Sequence, residues 1–164
     1  TSFWASALLK DRVGSTAAIS TVAIVALGTG MGVGRWYGGL VLRHLKLDTQ
    51  LLSIIALQFV GFVSFWLSHN MILSLFCLFA VGMGISMQFA LSSIRLIGLS
   101  DGRPDLAIGR ASLAAGTAIA GAPFLLGLLG DNFGISRAYI MVFVLIAIAF
   151  VIVKVIPSKV VEAA

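Results

Sequence analysis

Charged residues are scarce in this chain of 164 residues. Asp, Glu, Lys and Arg make up 10% of the sequence and hydrophobic residues 60%, whereas soluble domains carry about 25% charged residues. None of these four residue types occurs in 13–34, 49–94, 111–130 or 138–153. Because a bilayer-spanning helix needs roughly 20 consecutive apolar residues, this pattern predicts an all-α integral membrane protein and excludes an ordinary soluble domain.

Groups that carry catalysis or bind metals are equally rare. The single cysteine, Cys77, lies in an apolar stretch, where it can form no intramolecular disulfide and no metal site on its own. No Asp or Glu falls within a predicted span, and His44 and His69 lie at predicted loop edges. A membrane enzyme would need several such groups at one depth. The sequence therefore predicts a protein that is not an enzyme and holds no metal or cofactor.

Glycine, by contrast, recurs at every second position of one apolar run. The dinucleotide-binding fingerprint Gly-x-Gly-x-x-Gly requires a third glycine at a fixed distance, and none of the three possible registers supplies it. Read as a helix, the run places small residues one turn apart, which lets two membrane helices approach closely. We therefore predict a helix contact face made of Gly28, Gly30, Gly32 and Gly34.

The charge-free stretches predict five complete spans and part of a sixth. The run from 49 to 94 is too long for one span, and Ser68-His69-Asn70 supplies its polar turn. Residues 1–9 are apolar but too short to cross, so we expect the sequence to begin within a span and to be a fragment. A bundle over 1–157 would then precede a tail at 158–164. The predicted complete spans are 14–34, 50–67, 71–95, 110–130 and 137–154.

The distribution of cations predicts how the bundle is oriented. Lys10, Arg12 and Arg137 would lie on one side of the membrane, and eight cations on the other. Because positive loops remain in the cytoplasm, the C-terminus is predicted to be cytoplasmic in a multi-pass protein of the cell membrane. The net charge of +5 then needs no nucleic-acid partner. The eight cations are Arg35, Arg43, Lys46, Arg95, Arg103, Arg110, Lys154 and Lys159.

Three segments together resemble the C-terminal half of a major facilitator superfamily (MFS) transporter. "FWASALLKDRVGSTAAIS" resembles the passage from the seventh helix of that family to the eighth. "GMGVGRWYGGLVLRHLK" resembles its loop between helices eight and nine, and "APFLLGLLGDNFG" the outer end of helix eleven. The resemblance implies an MFS C-domain-like bundle and a missing N-terminal half.

The loop motif matches the family only in part. Gly38, Arg43 and Lys46 match its first glycine, its arginine and a later basic position, but Leu42 replaces its aspartate and Leu45 its second glycine. The charge-relay role linked to that aspartate is therefore not carried over. The motif residues predicted on this basis are Gly34, Arg35, Gly38, Gly39, Arg43 and Lys46, and those of the outer turn are Asp131 and Gly134.

The resemblance implies secondary active transport of a small solute by alternating access between two half-bundles. It places Gln88 and Ser92 on the tenth helix, where they could line the substrate cavity, although Gln88 could equally hydrogen-bond a neighbouring helix. Thr117 is a further cavity candidate, and Gln58 is predicted to make a structural pair. Pro123 predicts a kink that serves either packing or gating. The alternative is a non-transporting structural or sensory half-bundle that self-associates.

Overall fold

The computed structural model describes residues 17–156, and this part of the chain is all-helical, without a β-strand. The segments 1–16 and 157–164, which carry the partial span and the tail predicted above, lie outside the described residues. Seven helices follow one another: α1 (Ala17–Leu42), α2 (Leu47–Leu67), α3 (Met71–Ser86), α4 (Gln88–Gly98), α5 (Pro104–Phe133), α6 (Ile135–Ala138) and α7 (Ile140–Val155).

Three described segments are long and apolar enough to cross a membrane. They are Leu47–Leu67, Met71–Gly98, in which α3 and α4 run on with a break at Met87, and Pro104–Phe133. Ile140–Val155 is also apolar but shorter. These helices are compatible with a multi-pass membrane protein. Five complete spans and an MFS fold remain predictions.

Both longer loops of the sequence prediction are shorter in the structure. Helix α1 continues to Leu42, so only residues 43–46 connect it to α2, whereas the sequence predicted a loop over 35–49. A single charge does not end a helix, because arginine is a good helix former and Arg35 donates from Nε to the Ser86 carbonyl at 3.3 Å. The second loop is 99–103 rather than 96–110, since α5 starts at Pro104, a residue favoured at the first helical position.

The turn between α2 and α3 occupies residues 68–70, where the sequence predicted it. Asn70 is the N-cap of α3, and its side-chain oxygen accepts from the backbone N–H of Ile72 at 2.9 Å and of Leu73 at 3.4 Å. Such a cap satisfies N–H groups that have no partner within the helix. The polar triplet thus ends one helix and starts the next.

Helices α1 and α3 pack backbone to backbone. A Cβ atom at Gly30 would overlap the Phe79 carbonyl, and one at Gly82 would overlap the Leu27 carbonyl. At Gly34 it would lie 2.8 Å from the Met83 Cα. No atom of the described residues lies within 4 Å of such a Cβ at Gly28 or Gly32. The close face of α1 is therefore the Gly30 and Gly34 face, and the other two glycines point away from α3.

Aromatic and aliphatic side chains fill the space between α2, α3 and α7. Tyr139 stacks on Phe62 with ring centroids 5.5 Å apart, and Phe143 meets the same ring edge-on at 5.1 Å. A second cluster, next to the N-terminal half of α2, contains Leu51, Ile54, Ile55, Leu91, Ile146 and Val153. Helix α2 is therefore held on one side by α3 and on the other by α7.

Helix α5 contributes little to this core. Only 6% of its most apolar stretch is buried, against 33% for Leu47–Leu67 and 39% for Met71–Gly98. Its buried residues are Ala107 near the start and Leu126 near the end. Most of the length of this 30-residue helix is thus uncovered by the described residues.

Candidate functional site

A cavity of about 480 Å³ lies between α2, α4 and α7. Its walls are mainly aliphatic, but one face of α4 lines it with polar groups. Gln88, Ser92 and Arg95 follow one another at spacings of four and three residues, which places them on the same side of the helix. Gln58 adds a fourth polar side chain from α2. The cavity therefore combines an apolar wall with a polar strip, which we define as Gln58, Gln88, Ser92 and Arg95.

The two glutamines of the polar strip are hydrogen-bonded to each other. Gln88 donates from Nε2 to the Gln58 Oε1 and so joins α4 to α2. This contact is the helix–helix hydrogen bond that the sequence left open for Gln88, and it is the pairing predicted for Gln58. Each amide carries two donors and an acceptor, so the NH₂ group of Gln58 and one N–H and the carbonyl oxygen of Gln88 are not used in this bond.

Arg95 closes one end of the cavity. Its side chain is 10% exposed, and its Nε lies 2.9 Å from the Asp48 Oδ1 at the start of α2. Its Nη2 donates to the backbone carbonyls of Val153, at 3.3 Å, and of Ile156. The positive charge of the strip is thus balanced by a carboxylate and by the C-terminal carbonyls of α7. Because the cavity has no uncompensated charge among the described residues, its chemistry suits hydrogen bonding more than ion capture.

The remaining candidates for the substrate cavity divide between two places. Ser92 is exposed and lines the cavity beside Gln88. Thr117 lies on α5, and its hydroxyl bonds to the carbonyls of Leu113 at 3.0 Å and Ala114 at 2.9 Å. It lines a separate open groove along α5. The structure therefore brings Gln88 and Ser92 together but not Thr117.

The predicted motif residues lie at the end of the molecule that we call the basic end. It comprises the last turns of α1, the 43–46 and 99–103 turns, and the C-terminus of α7. Gly34 and Arg35 contact α3, and Gly38 lies against the Met87 side chain, whereas Gly39 has no described atom near its Cβ position. Arg43 and Lys46 are exposed. Six predicted motif residues thus belong to one helix end and the turn after it.

Pro123 and the predicted outer turn lie in the second half of α5. The helix continues through Pro123, which is exposed, and Asp131 is exposed in the last turn. Gly134 ends the helix with φ of 82°, a conformation that favours glycine because it has no Cβ. Asp131 therefore lies within the helix and not in the outer turn that the sequence predicted, whereas Gly134 lies at the helix end. Packing and gating both stay predictions for Pro123.

Two features of the site were not predicted from the sequence. Gln58 lines the cavity as well as pairing with Gln88, and Asp48 pairs with Arg95, which the sequence treated as a loop cation. Asp48, a single acid close to several cations in the sequence, could have indicated an ion pair. Its partner Arg95, however, is 47 residues away. Within the part of the chain that the structure describes, no three His, Cys, Asp or Glu side chains are placed to hold a metal ion.

Comparisons with protein-family models, with curated proteins and with solved structures give no match for this chain.

Proposed function

We propose that this chain forms one half-bundle, the C-terminal one, of a secondary transporter of the MFS type. Two such halves rock about a solute near the middle of the bilayer and expose it to each side in turn. The solute would be a small molecule, and the further partners are the lipid bilayer and the N-terminal half. The basic end would face the cytoplasm, because it carries most of the cations.

The observation that carries this proposal is the uncovered length of α5. A helix whose most apolar stretch is only 6% buried among the described residues has surface available for another bundle. The groove along it is lined by small residues, Gly109, Ser112, Gly116 and Ala120, that permit close helix contact. Such a surface supports a contact with a second half-bundle.

The polar strip supports a role in handling a solute. Polar groups at membrane depth in spanning helices commonly line pathways or bind ligands. Gln88 and Ser92 face α2 and α7, which correspond by the family resemblance to helices nine and twelve, so the strip would contact a solute within this half-bundle and not in the space between the two halves. The solute-contacting candidates are therefore Gln58, Gln88 and Ser92.

Water access to the cavity is the test. Ser92→Cys and, as a lipid-facing control, Val60→Cys are introduced into a Cys77→Ser background of the full native protein. Sealed vesicles are treated from either face with a maleimide that cannot cross the membrane. We expect Ser92→Cys to react and Val60→Cys, whose side chain is exposed on the outside of α2, to stay unmodified. If Ser92→Cys is unreactive from both faces, the cavity is dry and the proposal fails.

Alternating access predicts a second property of the Ser92→Cys variant. Asp48→Asn removes the carboxylate that pairs with Arg95 at the basic end and should loosen that end. We expect maleimide to reach Ser92→Cys faster from the cytoplasmic face and more slowly from the outer face. Equal increases from both faces would indicate general loosening and would count against two alternating states.

The self-associating half-bundle predicts a different gene product. An antibody to the C-terminal sequence KVVEAA would report the native length in membranes of the source cell. Since MFS transporters contain two halves, a product roughly twice as long as this chain supports the transporter. A band at 17.2 kDa would support the half-bundle instead.

A further inference from the structure

The last turns of α1 form an apolar surface that the rest of the described chain leaves uncovered. Contact with α3 ends near Gly38, and the flanking residues Trp36, Tyr37, Leu40 and Val41 are all exposed, Trp36 by 75%. An uncovered patch of this kind on a helix end indicates a contact with something outside the bundle.

Cations follow directly on this apolar surface. The cations Arg43 and Lys46 lie in the turn after α1 with His44 between them, and all three residues are exposed. Arg43 donates from Nε to His44 Nε2 at 3.2 Å, so these two side chains lie together. No ion pair of Arg43 or Lys46 with a carboxylate is found within residues 17–156. The turn therefore presents positive charge beside exposed aromatic rings.

The span predicted over 14–34, together with the length of α1, places this patch at the membrane surface. A helix of 26 residues is about 39 Å long at 1.5 Å per residue, and the hydrocarbon core is about 30 Å thick. The charge-free part of α1 ends at Gly34, so the turns from 35 onward reach the headgroup region. Trp and Tyr are enriched at that depth, where the ring contacts acyl chains and its polar atom contacts water.

We propose that the end of α1 and the 43–46 turn form a binding site for an anionic phospholipid. Arg43, His44 and Lys46 would contact the phosphate-bearing headgroup, and Trp36 with Leu40 would contact the glycerol and upper acyl chains. A soluble anion would pair with the cations but leave the aromatic rings uncovered. An apolar protein surface would cover the rings but leave the cations unpaired. A phospholipid satisfies both halves of the patch at the depth where they lie. This proposal does not depend on transport.

Trp36 itself can report the lipid. The full native protein, in which every tryptophan other than Trp36 is replaced by Phe, including Trp4 and Trp66, is placed in phosphatidylcholine nanodiscs, with a small fraction of phosphatidylglycerol or phosphatidylcholine brominated on the acyl chains. Bromine quenches indole fluorescence on contact. Each basic residue near an anionic surface favours binding by roughly fivefold, so Arg43 and Lys46 predict a preference of about 30-fold for phosphatidylglycerol over phosphatidylcholine. Half-maximal quenching should therefore need a lower mole fraction of brominated phosphatidylglycerol than of brominated phosphatidylcholine.

Two triple variants, of which the control removes three cations and the test variant two, separate a site from general attraction. Arg43→Gln/His44→Gln/Lys46→Gln should abolish the preference for phosphatidylglycerol while quenching by phosphatidylcholine persists. Arg103→Gln/Arg110→Gln/Arg137→Gln removes three cations elsewhere and should leave the preference unchanged. Equal quenching by both lipids in the unmutated turn, or equal loss in both triple variants, would overturn the proposal. Absence of quenching by either lipid would do so too, because it would mean that a protein surface covers Trp36.

Discussion

Arg95 links the beginning of one helix to the end of another. Its Nε lies 2.9 Å from the Asp48 Oδ1 in the first turn of α2, and its Nη2 donates to the C-terminal carbonyls of α7. Both contacts follow the polarity of helices, since anions are favoured at N-termini and cations at C-termini. A single side chain of α4 thus holds three helices together at the basic end.

Removing the carboxylate of this pair should destabilise the bundle. Asp48→Asn leaves the largely buried Arg95 charge without its counter-ion, and breaking a buried pair on one side typically costs about 3 kcal/mol or more. We expect a markedly lower melting temperature of the detergent-solubilised protein, measured by loss of the monodisperse peak after heating. Arg103→Gln, at an exposed position of the same end, serves as the control and should change the melting temperature little.

The double variant Asp48→Asn/Arg95→Met tests whether the two side chains stabilise the protein by interacting with each other. It removes both charges, so it should melt above Asp48→Asn alone, because no unpaired cation is left in the interior. Additive losses in the double variant would contradict a direct interaction between the two side chains.

Gly30 and Gly28 provide a matched test of the α1–α3 contact. Gly30→Ala would drive a methyl group into the Phe79 carbonyl, and overpacking of this kind costs about 1–3 kcal/mol. At Gly28 no described atom is within 4 Å, and alanine is the better helix former by about 1 kcal/mol. We expect Gly30→Ala to lower the melting temperature and Gly28→Ala to leave it unchanged or raise it. The reverse order would mean that α1 packs through its other face.

Composition and spacing predict much of this molecule, and the places where they fail have physical reasons. Apolar runs predict helices because a buried backbone needs its hydrogen bonds satisfied internally, and glycines one turn apart predict a close contact. Spacing cannot choose between the Gly28/Gly32 and Gly30/Gly34 faces, because that choice depends on which side α3 occupies. Helix ends were misplaced at Arg35 because a charge marks the end of the apolar stretch and not of the helix.

The sequence predicts which residues of α4 share the polar strip, but not which residues of other helices contact them. Helical spacing places Gln88, Ser92 and Arg95 on one side of α4 from the sequence alone. Which helices face that side is decided by long-range packing, so neither the bond to Gln58 nor the ion pair to Asp48 could be assigned beforehand.

The Gln58–Gln88 bond should be measurable as an interaction energy. Gln58→Leu and Gln88→Leu each remove one partner, and hydrogen bonds between membrane helices contribute about 0.6–2 kcal/mol. In a double-mutant cycle on unfolding in mixed detergent, we expect the double variant to be less destabilised than the sum of the single ones. Strict additivity would show that the two amides act independently. Gln50→Leu, whose amide bonds to the nearby Leu45 carbonyl, is the control that should show no such coupling with Gln88→Leu.

Asn70 tests whether the turn between α2 and α3 is held by its cap. Asn70→Ala removes the oxygen that accepts from the N–H groups of Ile72 and Leu73, and losing an N-cap costs about 1 kcal/mol. Asn70→Asp keeps an accepting oxygen and adds a negative charge where the helix dipole favours one, so it should preserve the melting temperature. His69→Ala, at an exposed neighbour, controls for the change of a turn residue. If Asn70→Ala and His69→Ala have the same melting temperature, solvent or lipid headgroups hydrogen-bond to those N–H groups equally well. The cap would then contribute nothing to stability.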